Sequence, residues 1–287
     1  MDIKGSRTEK NLREFFSNEL HAYANYMYCA STAREKGLEQ LADILYETAQ
    51  NEAEHARHEF QFLGGIEDVR KSLEISIEKE GEESRRSYPE AAMVAEEEGF
   101  VEIADFFRRM SKVEETHKKK FSEILDLLDR GEALEGRTVR HSTVDMAQIM
   151  LPGQANPAGY VHGGELMKMM DNAAGVAATR HCHSNVVTAM VHDIRFLKPV
   201  SVGNLVLIHG RVTFVSRSSM EVLVEVEAED LATEKKTKAL TAYFMMVALD
   251  EGGKPVKVPS LLVSTEEEEM LFQSGLQRYS IQKQKKR

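Results

Sequence analysis

Cysteine is nearly absent: Cys29 and Cys182 are the only two in 287 residues. Two isolated thiols exclude a disulfide framework and a Cys-x-x-Cys metal clip, and they fit a reducing cytosol. The N-terminus lacks the apolar stretch of a secretory leader. The longest uninterrupted apolar run, near Ala242 to Leu249, falls far short of the roughly 20 residues that span a bilayer. The sequence therefore predicts a soluble, cytoplasmic protein with no membrane partner. Basic residues are also scarce in the first half, where residues 1–136 hold 19 basic against 31 acidic side chains, while the rest hold 18 against 16. An acidic first half excludes nucleic acid as its partner. The last few residues, Lys283, Lys285, Lys286 and Arg287, form a basic tail that reads either as a solvated terminus or as a contact for a phosphorylated ligand.

A chain of this length is too long for one typical core and suits two domains. Residues 8–36, 38–63, 70–98 and 99–129 read as four helices with breaks at Gly37, Gly64, Gly65 and Gly99. Leu12, Phe15, Phe16, Leu20, Tyr23 and Met27 recur at helical spacing in the first of them. The third holds both Gly81 and Pro89, which predicts a kink or break. Periodicity is lost after Leu128. Residues 1–130 are thus expected as one domain, 131–138 as a linker and 139–287 as a second domain. In that second domain the period changes. Residues 187–196, 204–215, 220–229 and 238–249 alternate as β-strands, preceded by one helix from Gly164 to about His181. A small-residue stripe, Ala173, Ala174, Ala177 and Ala178, lets that helix lie close against a sheet wrapped around it.

Glu52 and His55 stand three positions apart on one predicted helix, and Glu114 and His117 repeat the pair on another. Such a spacing points both side chains into the same space. One Glu/His pair alone would be a solvated helix face. Two on separate helices, joined by Glu19 and by Glu80 and Glu83 on the other two, predict a two-metal carboxylate site inside a four-helix bundle.

The text around these residues resembles rubrerythrin, the diiron peroxidase of the ferritin-like superfamily. The matching stretches are residues 18–26, 47–55, 80–89, 96–104 and 114–121. The resemblance implies Glu19, Glu52, His55, Glu83, Glu114 and His117 as ligands of two iron ions, with Glu80 as an extra carboxylate; manganese or zinc suit the same ligands. In that family a third-helix carboxylate and the second-helix histidine exchange as ligands when iron changes redox state, and spacing leaves open which of Glu80 and Glu83 takes part. Tyr26 and Tyr88 match tyrosines beside the metal site, a role that core packing explains equally well. Rubrerythrins usually add a rubredoxin module with four cysteines. This chain lacks it, so peroxide reduction implies a separate electron donor of the rubredoxin type. A redox sensor, iron oxidation or metal storage is the competing reading of this half.

Further along, Asn156 to Gly164 leads directly into the predicted helix. Glycines at a helix start let a ligand approach backbone N–H groups at the positive end of the dipole, where an oxyanion is stabilised. Asp171 follows two turns later among methionines and alanines. It is either an acid on the wet face, near Lys168 and Asn172, or a catalytic one. The wider text is similar to the hotdog-fold acyl-CoA thioesterases of the cytosolic hydrolase group, through Val161 to Gly164, Met170 to Gly175, Thr179 to Cys182, Val186 to Ala189, Phe196 to Pro199 and Val215 to Met220.

That resemblance implies that Asp171 activates water or attacks the thioester carbonyl, that Asn156 orients water or substrate, and that Gly163 and Gly164 bind the oxyanion. It implies coenzyme A as part of the substrate, with Arg217, Ser218 and Ser219 near its phosphates; the same three residues also make an ordinary hairpin turn. Hotdog sites lie between protomers, so a homodimer at least, and a hexamer as a larger assembly, is expected, with Asn156 and Asp171 of one site drawn from different chains. His162 is a candidate for positioning the glycine turn. His192 and Asp193 are catalytic-looking, although alternation alone would leave one of them in solvent. Together the two halves predict an acyl-CoA thioesterase fused to a diiron domain, or a metal-handling protein whose hotdog domain is mainly a CoA-binding oligomeriser.

Overall fold

A computed structural model describes residues 3–66, 68–131 and 136–285. The chain forms two compact units, Met1–Ala133 and Leu134–Arg287. Residues 132–135 of the expected linker, and Lys286 and Arg287 of the basic tail, lie outside the described residues.

The first unit is helical. Helix α1, Arg7–Glu35, opens on Ser6, whose side chain accepts from the Glu9 N–H. Helix α2, Glu39–Phe62, returns along it. Helix α3, Val69–Glu82, is capped by the Asp68 carboxylate. The kink expected at the third helix is a π-helical turn, Glu83–Ser87, that runs into α4, Tyr88–Glu97. Pro89 explains it. Placed in the first turn of α4 it has no N–H to return to the preceding carbonyls, and the ladder slips by one residue. Helix α5, Val101–Asp129, packs on α3 and α4.

Two hairpins result. In the first, Phe16 stacks on Phe60 with ring centroids 5.4 Å apart. In the second, Arg70 of α3 forks onto Asp129 of α5 at 2.8 and 3.1 Å. Alanines line both seams: Ala30, Ala33, Ala42, Ala49 and Ala56 in one, Ala92, Ala95 and Ala104 in the other. No larger apolar side chain of this unit is fully buried among the described residues.

The second unit is a five-stranded antiparallel sheet in the order β2-β4-β5-β6-β3, formed by β2 (Val144–Ile149), β3 (Asn185–Phe196), β4 (Leu205–Val215), β5 (Ser219–Asp230) and β6 (Lys235–Leu249). A short pair, β1 (Arg137–Thr138) with β7 (Leu261–Leu262), stands apart from it, and a one-turn helix α6 (Val139–Ser142) follows β1. Helix α7, Gly163–Cys182, lies on one face of the sheet. Its stripe of Ala173, Ala174, Ala177 and Ala178 is wholly buried, and Gly210 of β4 leaves room for the Ala173 carbonyl, which a Cβ would meet at 3.4 Å.

On the other face lies α8, Glu266–Lys285, a helix that the sequence reading did not anticipate. Gly275 permits its close approach, since a Cβ there would meet Phe214 at 2.5 Å. Phe272 and Tyr279 pack on the same Phe214 ring. Arg278 crosses to Glu221 in a bidentate pair at 2.7 and 2.9 Å, and its guanidinium lies 4.0 Å from the Tyr243 ring centre. Strand β3 is left at the sheet edge with Val187, Met190, Ile194 and Phe196 exposed.

Candidate functional site

In the first unit the carboxylates and histidines gather into two triads, one per hairpin. Glu19 of α1 meets Glu52 and His55 of α2, and Glu80 of α3 meets Glu114 and His117 of α5; within each, one ligand atom per residue lies within 4.8 Å of the others. His55 Nδ1 is 3.0 Å from Glu52 and His117 Nδ1 is 2.8 Å from Glu114. Without a cation such carboxylates repel, and each pair responds by sharing a proton. The hydrogen bond with Glu52, then burial, holds the Glu19 carboxyl above its usual range. Burial, then the hydrogen bond with Glu114, does the same for Glu80, while Glu114 is held below its usual range chiefly by accepting from Glu80. Two carboxylates and one imidazole per triad are a donor set that fits one divalent metal each. Glu83 stands outside both triads at the first residue of the π turn, 3.6 Å from Lys79 Nζ. Tyr88 stays with the cluster, its phenol pushed up by burial and by Glu114, Glu83 and Glu80.

In the second unit Asp171 projects from α7 toward β3. The Thr188 hydroxyl donates to its Oδ1 at 2.5 Å. The two line a cleft of about 680 Å³ with Val176, Val187 and Met246. Thr188 was missed by the sequence reading, although it lies inside a stretch that carried the resemblance. Its signal was a hydroxyl near the start of a strand that packs on the Asp171 helix.

His162 caps α7, its Nδ1 accepting from the Gly164 N–H at 3.0 Å. Of the two expected oxyanion donors, Gly164 is therefore occupied. The Gly163 N–H has no acceptor among the described residues, and a Cβ at Gly163 would come 3.0 Å from the Phe196 ring. Asn156 Oδ1 accepts from the Ala158 and Tyr160 N–H groups at 2.9 and 3.3 Å. That leaves its amide N–H₂ to meet a ligand. Within one chain Asn156 does not line the Asp171 cleft.

Arg217, Ser218 and Ser219 form the β4–β5 turn. Ser219 is buried with its hydroxyl 2.7 Å from that of Ser216, so it holds the turn rather than facing a ligand. Arg217 is exposed and lines a second cleft, of about 760 Å³, which Arg137 and Lys257 also line. His192 lies on the α8 side of the sheet, stacked on Tyr243 and 3.4 Å from Glu221, and Asp193 occupies a left-handed bulge with φ 52°. These two serve the packing of α8. Among the described residues no helix is long and apolar enough to cross a membrane.

Comparison with known proteins divides the chain the same way. The Rubrerythrin family model matches residues 10–125 and 71–156, and the Thioesterase superfamily model matches 158–235. A rubrerythrin of Porphyromonas gingivalis is 38% identical over 146 residues, 46% of this chain and 73% of that protein. The cytosolic acyl coenzyme A thioester hydrolase of Rattus norvegicus is 40% identical over 154 residues, 53% of this chain. The chain spans only 40% of that protein's length. The crystal structure of an apo-hexameric acyl-CoA thioesterase superposes with a TM-score of 0.51 at 33% identity, covering 53% of this chain and 97% of the other. The chain thus belongs to the rubrerythrin family through its helical unit and to the thioesterase superfamily, with its hotdog fold, through its second.

Proposed function

We propose that the second unit hydrolyses acyl-CoA to a free acid and coenzyme A, with Asp171 as its catalytic carboxylate. The observation that carries this reading is the Thr188 hydroxyl on Asp171 Oδ1 at the mouth of an open cleft. Thr188 fixes the carboxylate plane and leaves Oδ2 to take a proton from water. The water oxygen adds to the thioester carbonyl, the Gly163 N–H at the start of α7 steadies the oxyanion, and collapse expels the thiolate. Arg217, Arg137 and Lys257 give the neighbouring cleft the positive charge that suits coenzyme A phosphates. Residues 139–287 make up this catalytic domain.

The site is completed between two chains, with Asn156 donated by a second copy across the exposed β3 edge. The assembly is a homodimer at least, and a hexamer is the state of one structural relative.

Residues 1–130 bind two metal ions, iron first, through Glu19, Glu52, His55, Glu80, Glu114 and His117, with Glu83 within reach of the π turn. When bound, such a pair supplies the two electrons that reduce peroxide to water, replenished by an external donor of the rubredoxin type. The chain's own contribution is a negatively charged cradle whose shared protons are released as metal enters, with Tyr88 beside it.

A panel of acyl-CoA substrates with a free-thiol readout tests the first half of the reading. Thiol release from at least one chain length is expected, and none from any would overturn it. Elemental analysis of protein purified without oxygen tests the second half. About two metals per chain are expected, and fewer than about one counts against a paired centre.

A further inference from the structure

The helical unit offers two half-sites rather than one whole one. Each triad is confined to its own hairpin, and neither α1 nor α2 packs along α3, α4 or α5. The ligand-bearing faces also carry large apolar side chains at helical spacing that nothing covers. Phe15 lies one turn before Glu19, Ile44 two turns before Glu52, Phe62 two turns after His55, and Phe106 two turns before Glu114; all four are 45% to 71% exposed. A face of this kind is buried only when a second hairpin closes on it.

The connection between hairpins decides which copy supplies that second hairpin. Ferritin-like bundles join their halves by one long crossover that returns along the bundle, so that the second and third helices run parallel. Here only six residues, 63 to 68, separate the end of α2 from the start of α3. His55 lies seven residues before the end of α2, and Glu80 eleven residues after the start of α3. At about 1.5 Å per residue, bringing those two levels together would take about 27 Å of return along the axis, besides about 9 Å across it. Seven peptide steps reach at most about 25 Å.

We propose that the metal-binding bundle closes between two copies of this chain, with α1–α2 of one copy seated on α3–α5 of the other and each metal pair held by ligands from both. The partner is a second copy because the exposed faces are complementary halves of one donor set: Glu19, Glu52 and His55 lack what Glu80, Glu114 and His117 provide. Both join the same polypeptide, so a reciprocal exchange satisfies both half-sites of both chains at once. This rests on the paired-metal reading of the first unit.

Complementation tests it. One variant carries Glu52→Gln and His55→Gln, the other Glu114→Gln and His117→Gln, each with its own affinity tag. The two are co-expressed as full chains, and doubly tagged protein is isolated without oxygen. In an exchanged pair one bundle loses both halves of its ligands and the other keeps all of them. Metal content is expected to recover to as much as about half of wild type, although either variant alone holds little. No recovery above the separate variants, with wild type fully loaded, overturns the exchange. A wild-type chain without paired metal overturns the metal reading instead. Should the double substitutions lower far-ultraviolet helicity, the single pair Glu52→Gln and Glu114→Gln gives the same readout.

Discussion

The Thr188 hydroxyl donates to Asp171 Oδ1 at 2.5 Å, so that the acid on α7 is aimed by a residue of the edge strand β3. A carboxylate held in one orientation offers its other oxygen to water without first losing rotational freedom.

Thr188→Ala is therefore expected to lower kcat for acyl-CoA hydrolysis by about ten- to a hundredfold with a smaller change in KM. Thr188→Ser, which keeps the hydroxyl, should recover most of the rate. Equal losses in both variants would point to packing rather than aim, and steady-state kinetics separates the two.

Gly163→Ala places a methyl group 3.0 Å from the Phe196 ring at the start of α7. The ring must give way, at a cost of about 1–3 kcal/mol, and the N–H proposed for the oxyanion moves with it. Thermal unfolding should shift downward and hydrolysis should fall. Phe196→Leu in the same chain should restore part of the stability.

The docking of α8 depends on pH in a defined direction. Burial of Glu221 works to raise its pKa, but the paired Arg278 guanidinium outweighs this and holds the carboxyl below its ordinary 4.5. A lowered folded pKa contributes stability that is present above the unfolded value and is lost as pH falls through the lowered one. Hydrogen exchange along α8 should be slow near neutrality and accelerate below about pH 4. Arg278→Gln, which strands a buried carboxylate, should cost about 3–5 kcal/mol, and adding Glu221→Gln should return part of it. An α8 equally protected at all pH values contradicts the role given to this pair.

Metal loading should release protons. Glu19 and Glu80 hold theirs more tightly than ordinary carboxylates because each shares one with a neighbouring glutamate, and a metal displaces them. Apparent affinity should weaken as pH falls. Calorimetry in two buffers of different ionisation heat counts the protons, and a count of zero excludes the shared-proton arrangement.

Much of this was legible in the sequence because it is written in local periods. The helix containing Glu52 and His55, the one containing Glu114 and His117, and the alanine stripe of α7 each follow from spacing that any chain must obey. Pro89 announced the interruption of the third helix, though not that it takes the form of a π turn. Strand β2 was missed because its six residues include Asp145 and Gln148 and it sits at a sheet edge. Helix α8 was missed because Gly275 and a polar composition blur its apolar face, which becomes meaningful only against Phe214 and Glu221. The role of Gly164 was misread, since its N–H is engaged by His162, two positions earlier, a contact that depends on one side-chain rotamer. The arrangement of the two hairpins was not legible at all. A helical period says which face must be covered, not which copy of the chain covers it.

The most direct measurement is the rate of free-thiol release from acyl-CoA by the Asp171→Ala protein beside wild type, with metal content measured on the same samples. The rate should fall by about a hundredfold or more while the metal content stays unchanged, because the two centres are built in separate units. Hydrolysis by Asp171→Ala at a rate near wild type would contradict the catalytic role assigned to α7.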